Sequence, residues 1–253
     1  GQRLLEARLA GADVDRAVAA EIARGTLPPG RLADPVIDRV RPTVERIAGA
    51  AEAVLGGPAQ PSSVDVKVVL GDGRTLSGTV PGVCGGVLRA VTYSRVSPRH
   101  RLAAYVRWLA LTVAHPDRDF EAVTVGRARE GGPKEAKVTV ARLPAIEAGQ
   151  ARELLRALVE LYDRGMREPL PLACLASAAY ANAAAAGADA VAAATKEWES
   201  GFGRDREDKE PDHQLVLGGV RSFAELVESQ PHFGPYAERL WAGPLQHEAV
   251  DDR

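Results

Sequence analysis

Val64, Val66, Val68 and Leu70 alternate with Asp65 and Lys67, the period-two pattern of a half-buried strand. Gly71-Asp72-Gly73 then supplies the turn a hairpin needs, and Leu76, Gly78 and Val80 share one face of the returning strand. A third strand is predicted over Val87 to Tyr93, after which Ser97-Pro98 opens a helix as N-cap and first helical residue. In that helix Leu102, Val106, Leu109 and Val113 recur at helical spacing, while Tyr105, Trp108 and Leu111 cover much of the remaining circumference. A helix apolar on that many sides is expected to be buried on that many sides, packed on the sheet with something over it.

Around this centre the pattern is mostly helical. Residues 3 to 24 read as helix broken near Gly11, with Asp13 capping Val14 to Ala23 and Gly25 as the stop. Asp34-Pro35 is expected to cap a long helix to about Leu55, with Val36, Val40, Val44, Ile47 and Ala51 on one face and a kink at Pro42. Gly56-Gly57-Pro58 to Ser63 is a linker. Past a turn over His115 to Asp119, a fourth strand is predicted at Phe120 to Val125 and a fifth at Glu135 to Ala141, separated by a Gly131-Gly132-Pro133 turn. A helix follows from Ile146 to Asp163, with Leu154, Leu158 and Leu161 along one face and Gly165 as its stop. Pro169 and Pro171 force an extended segment, and alanine-rich Leu172 to Trp198 reads as two helices meeting near Gly187. Glu199 to Gln214 is charged and glycine-bearing and is expected to be a mobile loop. Ser222 and Glu225 form a capping box for a last helix, and Phe233, Tyr236 and Trp241 pin the end down. The organisation predicted is N-terminal helices over 1–57, a sheet with its buried helix over 58–145, and a helical part over 146–253 with the loop near 199–214, all in one compact domain of a longer protein.

Composition narrows the chemistry. The 253 residues are 45% hydrophobic, ample for a core, and a net charge of -2 argues against attachment to nucleic acid by bulk charge. Contact with DNA must then come from a local patch. Cys84 and Cys174 lie far apart and form no metal-like pair, which fits a reducing cytoplasm. No apolar run is long enough to span a membrane. The chain opens without methionine and already helical, as a fragment of something longer does, and its excess of arginine over lysine fits the base composition of a GC-rich genome.

The predicted order, helix, hairpin, third strand, helix, fourth strand, is the αβββαβ order of PD-(D/E)xK nuclease cores, an α/β class with a mixed sheet. That chemistry needs a carboxylate at the end of the second strand and an acid and a lysine two apart on the third, because a hard divalent cation wants carboxylate oxygens. Here Gly78-Thr79-Val80-Pro81 puts Pro81 at the first position, and Thr92-Tyr93-Ser94 puts Thr92 and Ser94 at the others. Arg101-Leu102-Ala103-Ala104-Tyr105 still resembles the Gln-Leu-x-x-Tyr pattern of the RecB nuclease family. The expectation is a nuclease scaffold whose catalytic residues are lost, with no metal and no cofactor.

A more specific resemblance covers nearly the whole chain. Leu27-Pro28-Pro29-Gly30 resembles the Leu-Pro-x-Gly turn of the RecC C-terminal domain family, and Ser77 to Pro81 its strand ending in Gly-x-Leu-Pro. Leu161 to Leu170 resembles its Tyr-x-x-Gly-Met-x-x-Pro-Leu signature, and Tyr236 to Trp241 its Tyr-x-x-Arg-Leu-Trp. Each is weak alone, and four in register are strong. The resemblance implies a noncatalytic scaffold domain in the gamma subunit of exodeoxyribonuclease V, an ATP-dependent helicase-nuclease of DNA repair and recombination. It implies RecB-like and RecD-like partners, RecD in particular, and a place near the DNA fork.

Individual residues carry competing readings. Arg95, Arg99, His100, Arg101 and Arg107 concentrate positive charge where such scaffolds meet phosphates, or are an ordinary solvated helix start. Asp65, Asp72 and Glu45 are the acids an active nuclease with a migrated site would use, although Asp72 is accounted for by its turn. His115, Asp117 and Asp119 read as a loop before they read as ligands, and Glu207, Asp208, Glu210, Asp212 and His213 as a solvated charge run. Cys84 lacks an assigned base nearby, so it is given no catalytic role. Trp198, Phe202, Phe233, Tyr236 and Trp241 are expected in the core rather than as base-stacking platforms. A free-standing interaction module remains a third possibility beside scaffold and nuclease, because fold alone does not fix function.

Overall fold

The computed structural model describes residues 1–57, 60–129 and 137–253. Pro58 of the predicted linker, the predicted Gly131-Gly132-Pro133 turn and the predicted start of the fifth strand lie outside the described residues. The chain divides into two compact units, residues 1–96, 103–147 and 249–253, and residues 97–102 and 148–248.

The first unit opens with α1 (Gln2–Leu9), α2 (Val14–Ala23) and α3 (Asp34–Leu55). Asp13 caps α2, its carboxylate accepting the Asp15 N–H at 2.8 Å. Asp34 is not a cap: a 3-10 turn over Gly30–Ala33 runs directly into α3, so Asp34 is already its first residue. The buried stripe of α3 is Ile37, Val44, Ile47, Ala48 and Ala51. Val36, expected on this stripe, is 41% exposed, because it stands one residue off the i, i+7, i+11, i+14 line that starts at Ile37. Pro42 is carried on the exposed side of the helix.

The sheet contains β1 (Ser62–Val69), β2 (Thr75–Cys84), β3 (Val87–Arg95), β4 (Glu121–Arg127), β5 (Val138–Leu143) and β6 (Ala249–Asp252), in that spatial order. β3 and β4 are parallel and every other pair is antiparallel. Parallel neighbours need a crossover, and α4 (Pro98–Ala114) supplies it. Val91, Tyr93, Val123, Val125, Val138 and Val140 face the helices α1 to α3 in one apolar cluster. Leu88, Ala122 and Thr124, on the other face by alternation, are buried too, so the sheet is covered on both sides. Residues 108 to 113 of α4 are buried without interruption, and the Trp108 indole N–H donates to the Phe120 carbonyl at 2.8 Å, fixing the helix to the entry of β4. Val106 is the exception to the predicted stripe at 39% exposed. β6 was not foreseen: Ala-Val-Asp-Asp has no amphipathic alternation, all four residues are exposed, and the strand exists because β5 offers it an edge.

The second unit holds α5 (Ala148–Gly165), α6 (Cys174–Ala185), α7 (Ala190–Trp198), α8 (Pro211–Leu217), α9 (Phe223–Ser229) and α10 (Phe233–His247). Ala173, Ala176, Ala194 and Ala237 leave room for Trp198, Phe223, Leu226 and Phe233 in one cluster, with Phe223 and Phe233 edge-to-face at 5.0 Å. The Ser222–Glu225 capping box forms as predicted, and Trp241 is fully buried with its indole N–H on Ser177 Oγ at 3.0 Å.

The segment 199–214, expected to be loop throughout, carries a 3-10 turn over Glu207–Lys209 and the first turn of α8. Two of its acids, Glu207 and Asp208, are not solvated, whereas Asp212 is exposed as expected. Glu207 is 1% exposed and accepts the Leu175 and Ala176 N–H groups at the start of α6, both at 2.8 Å. Asp208 is 6% exposed and accepts the Ser200 N–H at 3.0 Å together with its hydroxyl. Buried carboxylates are tolerated when donors of this kind take the place of water.

Gly126 of β4 has no room for a side chain: a Cβ there would lie 2.8 Å from both the Ser94 carbonyl oxygen and Thr92 Cγ2. Gly126→Ala is expected to lower stability by roughly 1–3 kcal/mol through overpacking. Gly49→Ala, on the exposed side of α3 with nothing within 4 Å, is expected to raise it by about 0.5–1 kcal/mol. Urea unfolding of the two variants checks the opposite signs.

Candidate functional site

The three positions at which a nuclease would hold its metal fall on β2 and β3. Pro81 sits in a bulge of β2, where the register against β1 slips between Ser62 opposite Val83 and Val64 opposite Val80. Proline has no N–H to give a ladder and is accepted at such a place. The β2–β3 ladder contains only Val83 opposite Leu88 and Cys84 opposite Val87, so it does not pair Pro81 with Thr92 or Ser94. Thr92 Oγ1 accepts the Ser94 N–H at 3.1 Å, and both residues lie against Gly126. None of these three side chains can supply an anionic ligand.

The acids of a migrated site are each engaged elsewhere. Asp65 accepts the hydroxyl of Thr79, its cross-strand neighbour, at 2.6 Å. Asp72 takes the Arg74 N–H at 3.0 Å and Nε at 2.6 Å, and the N–H first, then the guanidinium, hold its carboxyl below the usual range. Glu45 accepts from Arg8 Nε at 2.9 Å, while Arg8 Nη1 reaches Glu52 at 2.7 Å. Among the described residues no three His, Cys, Asp or Glu side chains come together as a metal site. His115, expected in a loop, bonds through Nε2 to the Asp65 carbonyl at 2.8 Å, with Asp117 and Asp119 exposed beside it.

The five basic candidates separate by what they touch. In the first unit, Arg95 and Arg107 are exposed, and no carboxylate among the described residues pairs with either. Arg95 stands opposite Arg127 across the parallel pair, and the Arg127 guanidinium lies over the Tyr93 ring at 5.0 Å. In the second unit the three candidates are committed to the fold. Arg101 Nε donates to the buried Glu248 carboxylate at 2.7 Å. Arg99 reaches Glu207 at 3.4 Å and also pairs with Glu210. His100 Nδ1 accepts the Ser97 N–H at 3.2 Å and lies 2.8 Å from the Ser97 hydroxyl, closing the first turn of α4.

Neither cysteine has the environment of a nucleophile. Cys84 is buried, and burial first, with the Glu207 carboxylate second, pushes the Cys174 thiol up to about 11. His213, expected in the charge run, donates from Nδ1 to the Glu207 carbonyl at 2.7 Å and stacks beside Trp198 at 5.2 Å. It borders an apolar cavity of about 170 Å³ lined by Leu170, Leu172, Trp198, Leu217 and Leu226. Of the aromatic residues, Trp198, Phe233, Tyr236 and Trp241 are buried as predicted, and Phe202 is not: it is 110% exposed. Phe202 differs from the other four in lying between Gly201 and Gly203 in a turn, whereas each of the others lies within a helix.

A family model described as the RecC C-terminal domain matches residues 1–185. The RecBCD enzyme subunit RecC of Mycobacterium tuberculosis strain H37Rv is 36% identical over 251 residues, covering 95% of this chain and 22% of its own length. That of Mycolicibacterium smegmatis strain mc(2)155 is 36% identical over 264 residues, covering 98% of this chain and 23% of its own. The chain therefore spans less than a quarter of the length of these relatives.

Burial pushes the His100 imidazole below its ordinary value. The unfolded chain then binds more protons than the folded one as pH falls through about 6.5, so the contribution of His100 to stability is complete above that pH and declines below it. His100→Gln is expected to remove this part of the pH dependence between about 7.5 and 5.5. Urea midpoints of both proteins across that range provide the check, and parallel curves contradict the assignment.

Proposed function

The chain belongs to the RecC C-terminal domain family, and on that premise we propose that it is a noncatalytic scaffold domain of a RecC-type subunit. It works in a bacterial, cytoplasmic RecBCD-type helicase-nuclease of double-strand break repair and recombination. Its partners are RecB-like and RecD-like subunits, RecD in particular, and it lies close to the DNA fork.

What supports this reading is the element order together with the side chains that stand where a nuclease of that order would hold its metal. The element order is helix, hairpin, third strand, crossover helix and parallel fourth strand, the order of PD-(D/E)xK cores. At the positions where such a core would hold its metal stand a proline in a bulge and two hydroxyl residues, of which Thr92 accepts the backbone N–H of Ser94. Asp65, Asp72 and Glu45, the acids that could have replaced them, are bound to Thr79, Arg74 and Arg8. A domain arranged in this way keeps the surface of a nuclease and lacks the means to polarise water. Contact with DNA falls to Arg95 and Arg107, whose charges are available for phosphates, whereas Arg99 and Arg101 already serve carboxylates.

In the assembled complex, Asp65→Asn, Asp72→Asn and Glu45→Gln are each expected to leave Mg²⁺-dependent DNA cleavage within about twofold of wild type, a difference worth about 0.4 kcal/mol. A tenfold loss from any of them would establish a migrated active site and overturn the scaffold reading. Binding of forked DNA as a function of salt separates the arginines. Arg95→Ala or Arg107→Ala should each reduce the slope of log K against log salt by about 0.7–0.9. Arg101→Ala should leave the slope unchanged and instead lower stability by about 3 kcal/mol or more, since it strands the buried Glu248 carboxylate.

A further inference from the structure

Phe202 stands at the tip of a two-residue turn in the second unit, outside the residues that the family model matches. Gly201 and Arg204 close the turn by exchanging backbone hydrogen bonds, both at 3.1 Å, and Gly203 supplies the positive φ of 72° that the second central position of such a turn needs. The turn rests on an ordered base. Ser200 donates its N–H and its hydroxyl to the buried Asp208 carboxylate, and its Oγ accepts the Arg206 N–H at 2.8 Å. Arg206 is tied in turn to Glu197 at 2.7 Å. Two carboxylates, Glu207 and Asp208, are taken out of water to hold this segment, and the large apolar group it carries at its tip is left entirely in water. The donors compensate the carboxylates, but a ring left fully in water gains no burial energy from folding, so the place of Phe202 at the tip is not accounted for by stability.

The surroundings of the ring bear on which class of ligand would suit it. A protein-docking aromatic is normally enclosed by further apolar contacts that exclude water. Phe202 instead lies between Ser200, Gly201, Gly203 and Arg204, and a Cβ added at either glycine would find nothing within 4 Å, so the tip is slender and open. Arg204 is exposed, and no carboxylate among the described residues pairs with it. A flat ring open to stacking, with an available arginine two residues further along the same turn, is a combination suited to a single-stranded nucleotide, the base on the ring and the phosphate on the cation.

We infer that Phe202 and Arg204 form a stacking finger for a base of single-stranded DNA, held rigid by the Ser200–Asp208 base. The inference rests on the reading that this domain works beside a DNA fork.

The test uses the assembled complex with the full-length subunit and a single-stranded oligodeoxynucleotide carrying 2-aminopurine, whose fluorescence reports stacking. Phe202→Ala is expected to weaken binding by roughly fivefold to a hundredfold and to abolish the stacking signal. Phe202→Trp should retain both, and Phe202→Leu, apolar but not flat, should behave as the alanine variant. Melting temperatures should not move, because the ring makes no core contact. Wild-type binding with Phe202→Ala unchanged within twofold overturns the finger and leaves the scaffold reading standing. Retention by Phe202→Leu, or release of a partner subunit by Phe202→Ala at unchanged DNA affinity, makes Phe202 a protein-docking residue and also overturns it. Failure of the wild-type complex to bind any such oligonucleotide removes the fork reading, and the finger with it.

Discussion

Two parallel strands cannot be joined by a tight turn, and the first unit is arranged around that constraint. β3 and β4 pair in parallel from Val87 opposite Glu121 to Val91 opposite Val125, so the chain must leave the sheet, cross it and return. The crossover is α4, and because it lies over a sheet whose other face is already covered by α1 to α3, its own face must be apolar and its ends must be fixed. Trp108 does both, fully buried and bonded to the Phe120 carbonyl at the point where β4 begins. The close approach of β3 to Gly126 follows from the same pairing, since β4 meets the backbone of Ser94 there. The strand ends on which the candidate positions Pro81, Thr92, Ser94 and Arg95 lie are thus positioned by the same helix that carries Arg107.

The second unit solves a different problem, that of packing short helices rich in alanine around a few large aromatic rings. Small side chains bury little apolar surface each, and α6 and α7 are drawn together around Trp198, Phe223 and Phe233. Much of the remaining cohesion is polar and specific. The Glu207 carboxylate replaces water at the first turn of α6, where unpaired N–H groups point outward and the helix dipole favours negative charge. Arg99 and Arg101 serve the same unit, one against Glu207 and Glu210, the other against Glu248. Charge that looks like a binding surface when counted along the chain is here largely consumed by the fold, and this is why Arg95 and Arg107 remain as the DNA candidates.

Much of the architecture was legible in the residues. Alternation marked β1 and β2, glycine and aspartate marked their turn, and Asp13 and the Ser222–Glu225 box marked two helix starts, because capping and alternation are local and act through neighbours in the chain. That Pro81, Thr92 and Ser94 stand where a nuclease of this element order would carry its ligands was equally visible, since it needs only the side-chain identities. Less visible were the exposed Val36 and Val106, each a member of a convincing apolar series whose burial depended on where a second element happened to lie. β6 gave no signal because an edge strand borrows its order from its neighbour.

The division between the two sources of information is therefore physical. Local sequence determined most element types, two helix caps and the hairpin, all of which depend on side-chain identity and short-range geometry. Tertiary structure alone decided which charges are free. Glu207 and Asp208 are buried, and Arg99 and Arg101 engaged, through partners 31 and 32, 108 and 147 residues away or across a turn, and Phe202 is left in water on a base built from the same acids. Desolvation and ion pairing are set by the atoms that surround a group in space, and no period along the chain encodes them.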